Sequence, residues 1–316
     1  MAPSFTRVGF RVRRALFDWE PLDAIDMAGR VVLVTGATSG LGLAAAGQLA
    51  AMGASVRILA RNEVKAQGVV ERLVGSTGNP DIAPVIADLC NLEAVAVAAQ
   101  RFGAEHGRLD ALVHNAGALS AARTVGASGL ECTVASQVVA PFLLTHALLP
   151  LLQAAAPSRV LFVASGGMYS QRLDVAHLEM DAASYDGTTA YARAKRAQVE
   201  LAPVMGTALA DAGVVVHAMH PGWADTPGVS EALPRFRRIV GRLLRSPDEG
   251  ADTIVWLAAA QEPLASTGGF WLDRRQRAIN KVPMTRAPEG ERARLWEFCE
   301  EHAGVTWPLV HAPSAH

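Results

Sequence analysis

The stretch VTGATSGLG, residues 34–42, decides how this chain of 316 residues folds. It joins an apolar run, RVVLVTG (30–36), to an alanine-rich helical pattern. Gly36, Gly40 and Gly42 remove side chains where the chain turns sharply and where a phosphate must approach backbone N–H groups. A glycine turn between a buried strand and a helix N-terminus predicts a site for a dinucleotide pyrophosphate.

Six further apolar runs follow this turn, and helical patterns separate them. They lie at residues 55–60, 82–89, 109–117, 159–165, 214–222 and 268–272. Runs that are apolar on both faces and alternate with helices are typical of a parallel sheet with helices on both sides. We therefore predict an α/β fold: one doubly wound, Rossmann-type domain with a parallel sheet of about seven strands.

Two flanking segments extend this domain. We predict an N-terminal amphipathic extension at residues 1–28, the nucleotide-binding domain at residues 29–285 and a helical tail at residues 286–316. The extension carries apolar residues at helical spacing and arginines on another face: Phe5, Val8, Val12, Leu16 and Trp19 against Arg7, Arg11 and Arg14. Such a stripe packs against the body or a second subunit, which we favour, or it lies on an anionic membrane surface through residues 1–20.

Composition and charge narrow the classes of protein that fit the chain. Half of the residues are hydrophobic and 19% are charged, which suits a chain with a large core. The net charge of −1 gives no electrostatic reason to expect nucleic acid as a partner. No apolar run approaches the ~20 residues that a membrane span needs, so we expect a cytoplasmic protein, with peripheral membrane contact as the alternative.

Cysteines and histidines predict neither a disulfide framework nor a metal site. Cys90, Cys132 and Cys299 are odd in number and far apart, which argues against disulfides and fits a reducing cytosol. The candidate metal ligands are His114, His217 and His220. No acidic residue stands at ligand spacing around them, so we expect core or loop roles and no metal.

The end of the second predicted strand, ILARN, bears on the choice of nucleotide. A site for NAD places an Asp or Glu there to hold the ribose hydroxyls, whereas this chain has Ala60 and Arg61. A guanidinium can hold a 2′-phosphate through two N–H bonds. The sequence therefore favours NADP(H), held by Arg61 and the neighbouring Asn62, and leaves NAD(H) and a solvated Arg61 as alternatives.

Further motifs occur in a fixed order on the expected strands and helices. They are TGATSGLG (35–42), ADL (87–89), NAG (115–117), Ser165, the pair Tyr191 and Lys195, and HPG (220–222) followed by Thr226. With this set the chain resembles the short-chain dehydrogenase/reductase (SDR) family over about residues 28–280. The segments SGGMYSQRL (165–173) and HPGWADTPGV (220–229) resemble the family-member-12 type of these enzymes.

The resemblance implies cofactor contacts along the whole cleft. The implied contacts are Gly36, Ser39, Gly40, Leu41 and Gly42 at the pyrophosphate, Asp88 and Leu89 beside the adenine, Asn115, Ala116 and Gly117 on the central strand, and Pro221, Gly222 and Thr226 at the nicotinamide. It also implies a catalytic group of Ser165, Tyr191 and Lys195, the last two touching the cofactor as well.

Physical chemistry supports this catalytic group independently. A carbonyl that accepts a hydride develops negative charge on oxygen and needs a proton donor fixed there. The chain has three tyrosines, and only Tyr191 has a lysine, Lys195, four residues on. An ammonium one turn away is expected to lower the tyrosine pKa from about 10. Ser165, at the end of a central strand, is placed to hold the substrate oxygen.

One position departs from the family pattern. Aligned on APFLLT (140–145), Gln137 stands where many members carry an Asn that anchors a water between the catalytic lysine and solvent. A glutamine amide offers the same donors and acceptor with a longer reach. The relay therefore persists in altered form, or it is lost, or Gln137 is only a polar helix residue.

Two loops are expected to wall the substrate pocket, at residues 166–190 and 223–246. An apolar lid is expected from Trp223, Leu233, Phe236 and Leu243. It favours a lipophilic carbonyl or alcohol as substrate. The basic residues beside the lid are Arg235, Arg237, Arg238, Arg242 and Arg245. We expect these to form a solvated face, with an acidic substrate group or anionic lipid as alternatives.

Taken together, these features predict an NADP(H)-preferring oxidoreductase that moves a hydride between nicotinamide and a carbonyl or alcohol carbon. A homo-oligomer is a further expectation. One alternative is a nucleotide-binding regulatory or scaffold protein that has lost turnover, with Gln137 as its support. A second is a nicotinamide-using epimerase or dehydratase, which the missing C-terminal substrate domain disfavours.

Overall fold

Eight strands form one sheet in the computed structural model, which describes residues 2–228, 237, 238 and 240–307. The strands are β1 Val31–Thr35, β2 Ser55–Ala60, β3 Ile82–Ile86, β4 Ala111–His114, β5 Ser158–Val163, β6 Val214–Met219, β7 Phe270–Leu272 and β8 Arg275–Gln276. Their order is β3-β2-β1-β4-β5-β6-β7-β8, and all neighbours are parallel except β7 and β8. The α/β fold and its seven predicted strands are confirmed. The eighth strand was not predicted, because it is two exposed polar residues long.

Helices cover both faces of the sheet. Their bounds are α1 Ala2–Phe5, α2 Arg7–Leu16, α3 Gly40–Ala51, α4 Glu63–Thr77, α5 Leu92–Glu105, α6 Cys132–Val134, α7 Ala140–Ala147, α8 Leu149–Ala154, α9 Gly187–Ala208, α10 Pro247–Ala259 and α11 Glu291–Ala303. A π-helix at Ala135–Val139 links α6 to α7. One core contains residues of α3, α4 and α10, and the other contains residues of α5, α7, α9 and α11. In the described part of the chain, no helix has the length and apolarity needed to cross a bilayer.

Alternation along the central strands explains why the apolar runs form a sheet. In β1, Val32 and Val34 enter the core with α3, whereas Leu33 enters the core with α5. Both faces of each central strand must therefore be apolar. The parallel order brings the carboxyl ends of β1, β4, β5 and β6 to one edge of the sheet, where open α/β sheets bind ligands.

In the N-terminal extension, α2 faces the body with Phe10, Arg7 and Arg11 and turns most of its apolar stripe away. Arg7 and Arg11 bind the Glu249 carboxylate through their Nε atoms at 3.0 Å and 2.8 Å. This leaves the Val8, Val12 and Leu16 side chains outward, 56%, 49% and 70% exposed. The body therefore does not cover these three residues, although it buries Phe5, and their packing against a second subunit stays a prediction.

Cys90 and Cys132 form a disulfide, contrary to the sequence expectation. Cys90 follows β3 and Cys132 opens α6, and the fold brings their Cα atoms within 5.1 Å across 42 residues of sequence. The number and spacing of the cysteines in the sequence do not show that the fold brings Cys90 and Cys132 together. The third cysteine, Cys299, is buried and free.

The C-terminal tail contributes a helix to the core. Leu295 and Trp296 of α11 are buried, and the Trp296 ring meets the Phe142 ring edge-on at 4.9 Å. The tail is therefore part of the same folded body as far as Trp307, where the description of the chain ends.

Candidate active site

The glycine turn packs directly against the end of β4. A Cβ atom on Gly36 would lie 2.8 Å from Ala116 Cα, and one on Gly42 would lie 2.3 Å from Asn115 Nδ2. Gly36 also has a φ of +67°, a left-handed conformation that glycine adopts at little cost. Any side chain at these two positions would push the turn away from the central strand.

Two polar contacts hold this junction together. Asn115 Nδ2 donates to the Thr35 carbonyl oxygen at 3.0 Å, and the Ala116 N–H donates to Thr35 Oγ1 at 3.0 Å. Thr35 is therefore a structural partner of the NAG motif that sequence reasoning missed. Its signal is its place as the last residue of β1, directly before the glycine turn.

The first turn of α3 fits a pyrophosphate. Ser39 is its N-cap and makes no side-chain cap hydrogen bond, and the first turn carries no acidic residue. The helix therefore presents backbone N–H groups and a positive dipole end to the cleft. A Cβ atom on Gly40 would lie 3.4 Å from Thr226 Cβ, so the predicted pyrophosphate and nicotinamide residues border the same cleft. Leu41 Cδ2 instead faces α10, where it would lie 2.6 Å from a Cβ atom on Gly250.

The residues predicted for the adenosine end lie at the same edge of the sheet. Arg61 and Asn62 follow β2 and are exposed, and Asn62 Oδ1 caps α4 by accepting from the Lys65 N–H at 2.8 Å. Asp88 is exposed and accepts from the Cys90 N–H at 2.9 Å. The Leu89 side chain is buried in the core beside α5.

The predicted catalytic residues come together between β5 and α9. Tyr191 and Lys195 lie one turn apart on α9, and Lys195 Nζ is 5.5 Å from the centroid of the Tyr191 ring. Ser165 follows β5, and its side chain hydrogen-bonds that of Tyr191. Lys195 Nζ donates to the Val163 carbonyl oxygen at 2.8 Å and to Gln198 Oε1 at 3.0 Å. Gln198, one turn beyond the lysine, was missed by sequence reasoning.

Burial has the largest effect on the pKa values of Tyr191 and Lys195. Burial raises the pKa of Tyr191 above its usual range, and the hydrogen bond with Ser165 acts in the opposite direction. Burial also lowers the pKa of Lys195 to about 7. The expected lowering of the tyrosine pKa by the lysine is therefore not seen in this arrangement, because the ammonium points to the Val163 carbonyl and Gln198.

Gln137 joins the same polar cluster from the π-helix. Its backbone carbonyl accepts from Gln198 Nε2 at 2.6 Å, and its Nε2 donates to the Ala118 carbonyl at 3.0 Å. Its Oε1 is buried without a partner. A Cβ atom on Gly117 would lie 2.8 Å from Lys195 Nζ and 3.0 Å from Gln137 Oε1, so the glycine keeps open the space between these polar atoms.

The turn after β6 completes the site. Gly222 has a φ of +76°, and a Cβ atom there would lie 2.4 Å from the Arg245 guanidinium. Arg245 donates to the Pro221 carbonyl at 3.0 Å and to Asp273 Oδ1 at 2.6 Å. The expectation that Arg245 belongs to a solvated face is wrong, because its side chain is 1% exposed and buried beside this turn.

The expected lid is only partly described. Trp223 is partly buried and Leu243 is 44% exposed, whereas Leu233, Phe236 and Arg235 lie outside the described residues. Arg237 is exposed and pairs with Asp225 through Nε at 2.8 Å. Loop 166–190 contains three short 3₁₀ helices: Gly166–Ser170, Val175–His177 and Ala182–Ser184.

The histidines occupy the core beside the site. His114 Nε2 lies 2.9 Å from Thr145 Oγ1, and His217 Nδ1 accepts from Trp271 Nε1 at 3.1 Å. Burial lowers the pKa of His114 and of His220 to about 3, so both are neutral at physiological pH. Among the residues that the structure describes, no group of three His, Cys, Asp or Glu side chains could hold a metal ion.

Known proteins resemble this chain over most of its length. The family model for short chain dehydrogenase matches residues 30–235. A dehydrogenase/reductase SDR family member 12 from Bos taurus is 35% identical over 304 residues, 95% of this chain and 94% of the relative. Retinol dehydrogenase 13 from Homo sapiens is 30% identical over 291 residues, 89% of this chain and 87% of that protein.

A solved structure shares the fold. The RhlG/NADP active-site complex of Pseudomonas aeruginosa matches with a TM-score of 0.64 and 26% identity, over 80% of this chain and 96% of that one. The chain therefore belongs to the short-chain dehydrogenase/reductase family, and it is an NAD(P)-dependent oxidoreductase acting on alcohol and carbonyl groups.

Proposed function

We propose that this enzyme prefers NADP(H) and interconverts a lipophilic carbonyl compound and its alcohol, with Tyr191 as general acid and base. The observation that carries the proposal is the cluster of Ser165, Tyr191 and Lys195 at the sheet edge that also holds the glycine turn. The cluster of Ser165, Tyr191 and Lys195 and the glycine turn border one cleft. A nicotinamide and a substrate carbonyl can therefore lie next to each other there, as hydride transfer requires.

The bound nicotinamide supplies or accepts the hydride. During reduction, the Tyr191 hydroxyl donates a proton to the substrate oxygen and the Ser165 hydroxyl holds that oxygen. The raised pKa of Tyr191 keeps this proton in place at neutral pH. In the reverse direction Tyr191, as the phenolate, accepts the alcohol proton.

A binding and turnover experiment tests this proposal. NADPH is titrated into the purified protein by fluorescence, and lipophilic aldehydes and ketones are then screened for NADPH oxidation. Saturable binding with carbonyl-dependent oxidation supports the proposal. Binding without turnover on every carbonyl would favour the regulatory alternative, and no binding would remove both.

The preference for NADP(H) rests on Arg61. This residue is exposed directly after β2, next to the N-cap of α4, and no carboxylate precedes it at the strand end. We expect Arg61→Ala to weaken NADPH binding by about tenfold or more, since one charge-assisted contact contributes roughly 1.5–3 kcal/mol. NADH binding should change little, and equal losses for both nucleotides would exclude Arg61 as the phosphate contact.

The exposed face of the extension supports contact with an anionic membrane. Val8, Val12 and Leu16 form an exposed apolar stripe on α2. Arg11 and Arg14 of the same helix are also exposed, although Arg11 pairs with Glu249. An exposed apolar stripe on a basic helix suits a surface of anionic lipid. A lipophilic substrate would be drawn from the same surface.

Co-sedimentation with vesicles tests this contact. Vesicles that contain phosphatidylserine should carry the protein down, and Leu16→Asp should abolish this. A protein that stays in the supernatant and elutes as a dimer that Leu16→Asp dissociates would show that a second copy covers the stripe instead.

A further inference from the structure

Phe5, in the N-terminal extension, packs against the turn that follows β6. Its ring centroid lies 4.7 Å from that of His220 and 5.9 Å from that of Trp223, on either side of the Pro221–Gly222 turn. The Phe5 carbonyl also accepts from the Trp223 N–H at 2.8 Å. The Phe5 side chain is only 8% exposed, so the ring is enclosed by these neighbours.

These contacts continue to the catalytic serine. A Cβ atom on Gly166 would lie 3.1 Å from His220 Nε2, and Ser165 caps the short helix that begins at Gly166. Tyr169 of that helix stacks on Phe5 with centroids 6.5 Å apart and planes 25° apart. Phe5 therefore lies between the short helix that follows Ser165 and the Pro221–Gly222 turn.

The Tyr169 ring is held in place by further contacts. Its hydroxyl donates to the Ala278 carbonyl at 3.3 Å, and burial raises its pKa to about 12. The Lys281 ammonium lies 4.1 Å from the Tyr169 ring centroid and 4.5 Å from that of Phe5. Rings packed and capped in this way have little freedom to rearrange unless Phe5 is removed.

The extension is fastened to the body by a buried ion-pair cluster. Asp273, which is 0% exposed, accepts from Arg245 Nη1 at 2.6 Å and from Arg13 Nε at 2.6 Å. Arg245 also donates to the Ser4 carbonyl at 3.2 Å, next to Phe5, and to the Pro221 carbonyl at 3.0 Å. This cluster thus connects the N-terminal extension with the Pro221–Gly222 turn.

The hairpin between β7 and β8 holds Asp273 in an unusual backbone conformation. Asp273 and Arg274 form the two-residue turn between β7 and β8 with φ of +54° and +53°, which non-glycine residues adopt at a cost. Arg274 is held by Asp252 through Nε at 2.9 Å. Helices of four and ten residues are marginal on their own in water, so such contacts determine where the extension lies.

We propose that Phe5 is a specificity-positioning residue, through which the N-terminal extension shapes the aromatic wall of the substrate pocket. This wall consists of Tyr169, from the short helix after Ser165, and Trp223, which follows the Pro221–Gly222 turn, and the Phe5 ring packs against both. Fixed aromatic rings favour flat, unsaturated or aromatic carbonyl compounds over flexible aliphatic ones. This inference rests on the proposed oxidoreductase function and adds a substrate class to it.

Selectivity measurements on matched variants test the inference. The readout is kcat/KM for 9,10-phenanthrenequinone divided by that for hexanal, both with NADPH. Phe5→Ala should lower this ratio by about fivefold, mainly through a higher KM for the quinone, the factor that corresponds to a stacked aromatic contact of about 1 kcal/mol. Phe5→Tyr should restore most of the ratio.

Phe10→Ala is the matched control. Phe10 is also buried in the extension, but its ring packs on Trp19 at 5.4 Å and on the Arg245 guanidinium at 5.2 Å. It should lower thermal stability and leave the ratio within about twofold of wild type. An unchanged ratio in Phe5→Ala, or equal changes in both variants, would overturn the inference.

Calorimetry separates this inference from the proposed function. Phenanthrenequinone is titrated into the NADP⁺ complex of each variant, which requires no turnover. Weaker binding by Phe5→Ala than by Phe10→Ala supports the aromatic wall even if neither substrate is reduced. Equal binding by the two variants would overturn it, whereas failure of the wild type to reduce any carbonyl would count against the proposed function alone.

Discussion

Lys195 is a buried amine whose charge changes near neutral pH. Burial lowers its pKa to about 7 in the folded state, whereas a lysine in the unfolded chain titrates near 10.4. Between these values the unfolded state binds more protons than the folded state. Lys195 therefore destabilises the folded protein most below about pH 7, and this destabilisation decreases as the pH rises towards 10.4.

A substitution isolates that effect. Lys195→Met should raise the thermal unfolding temperature relative to wild type most at pH 6 to 7, and the difference should shrink steadily towards pH 10. Thermal denaturation followed by circular dichroism across this range checks the slope. A difference that does not depend on pH would show that the lysine is not titrating as its burial requires.

Gln198 helps to keep the same lysine protonated. Its Oε1 is one of two acceptors on Lys195 Nζ, at 3.0 Å. Gln198→Leu removes that acceptor, so the pKa of Lys195 should fall further and less ammonium should be present at neutral pH. We expect kcat for carbonyl reduction to fall by about tenfold at pH 7.5 and its alkaline limb to shift to lower pH. A uniform loss across all pH values would indicate a structural role only.

At the scale of elements, a disulfide connects the loop after β3 with the start of α6. Closing a loop of 42 residues stabilises the folded chain by about 4 kcal/mol if the effect is entropic. Cys132→Ser should therefore lower the free energy of unfolding by several kcal/mol in non-reducing buffer. Urea denaturation with and without reductant measures this.

The reductant provides the control for that experiment. The wild type in reductant should match Cys132→Ser, and Cys299→Ser should respond to reductant as the wild type does, since Cys299 is free. A wild type whose stability is the same in both buffers would show that the disulfide does not form in solution.

At the scale of the whole molecule, the parts that repeat a simple pattern could be predicted from sequence. The alternation of Val32, Leu33 and Val34 fixes a strand buried on both faces, and the same pattern recurs in the other central strands. The predicted positions of Ser165, Tyr191 and Lys195 follow from the strand ends and the helix period, and the fold brings these residues together.

Features that depend on long-range contacts could not be predicted. Arg7 and Arg11 of α2 bind Glu249, more than 230 residues away, and the buried Arg245 pairs with Asp273. The pKa of Tyr191 depends on how deeply the fold encloses it, which residue spacing does not report. Local pattern thus predicts elements, whereas electrostatics and burial require the assembled structure.

A comparison of Tyr191→Phe with wild type under NADPH tests whether Tyr191 is the general acid. NADPH should bind both proteins with dissociation constants within about threefold, while carbonyl-dependent NADPH oxidation should fall by a factor of about 10² to 10⁴ in the variant. Tyr185→Phe removes the hydroxyl of a tyrosine that instead bonds Glu131, and should retain activity. Turnover by Tyr191→Phe at the wild-type rate would contradict the role of Tyr191 as general acid.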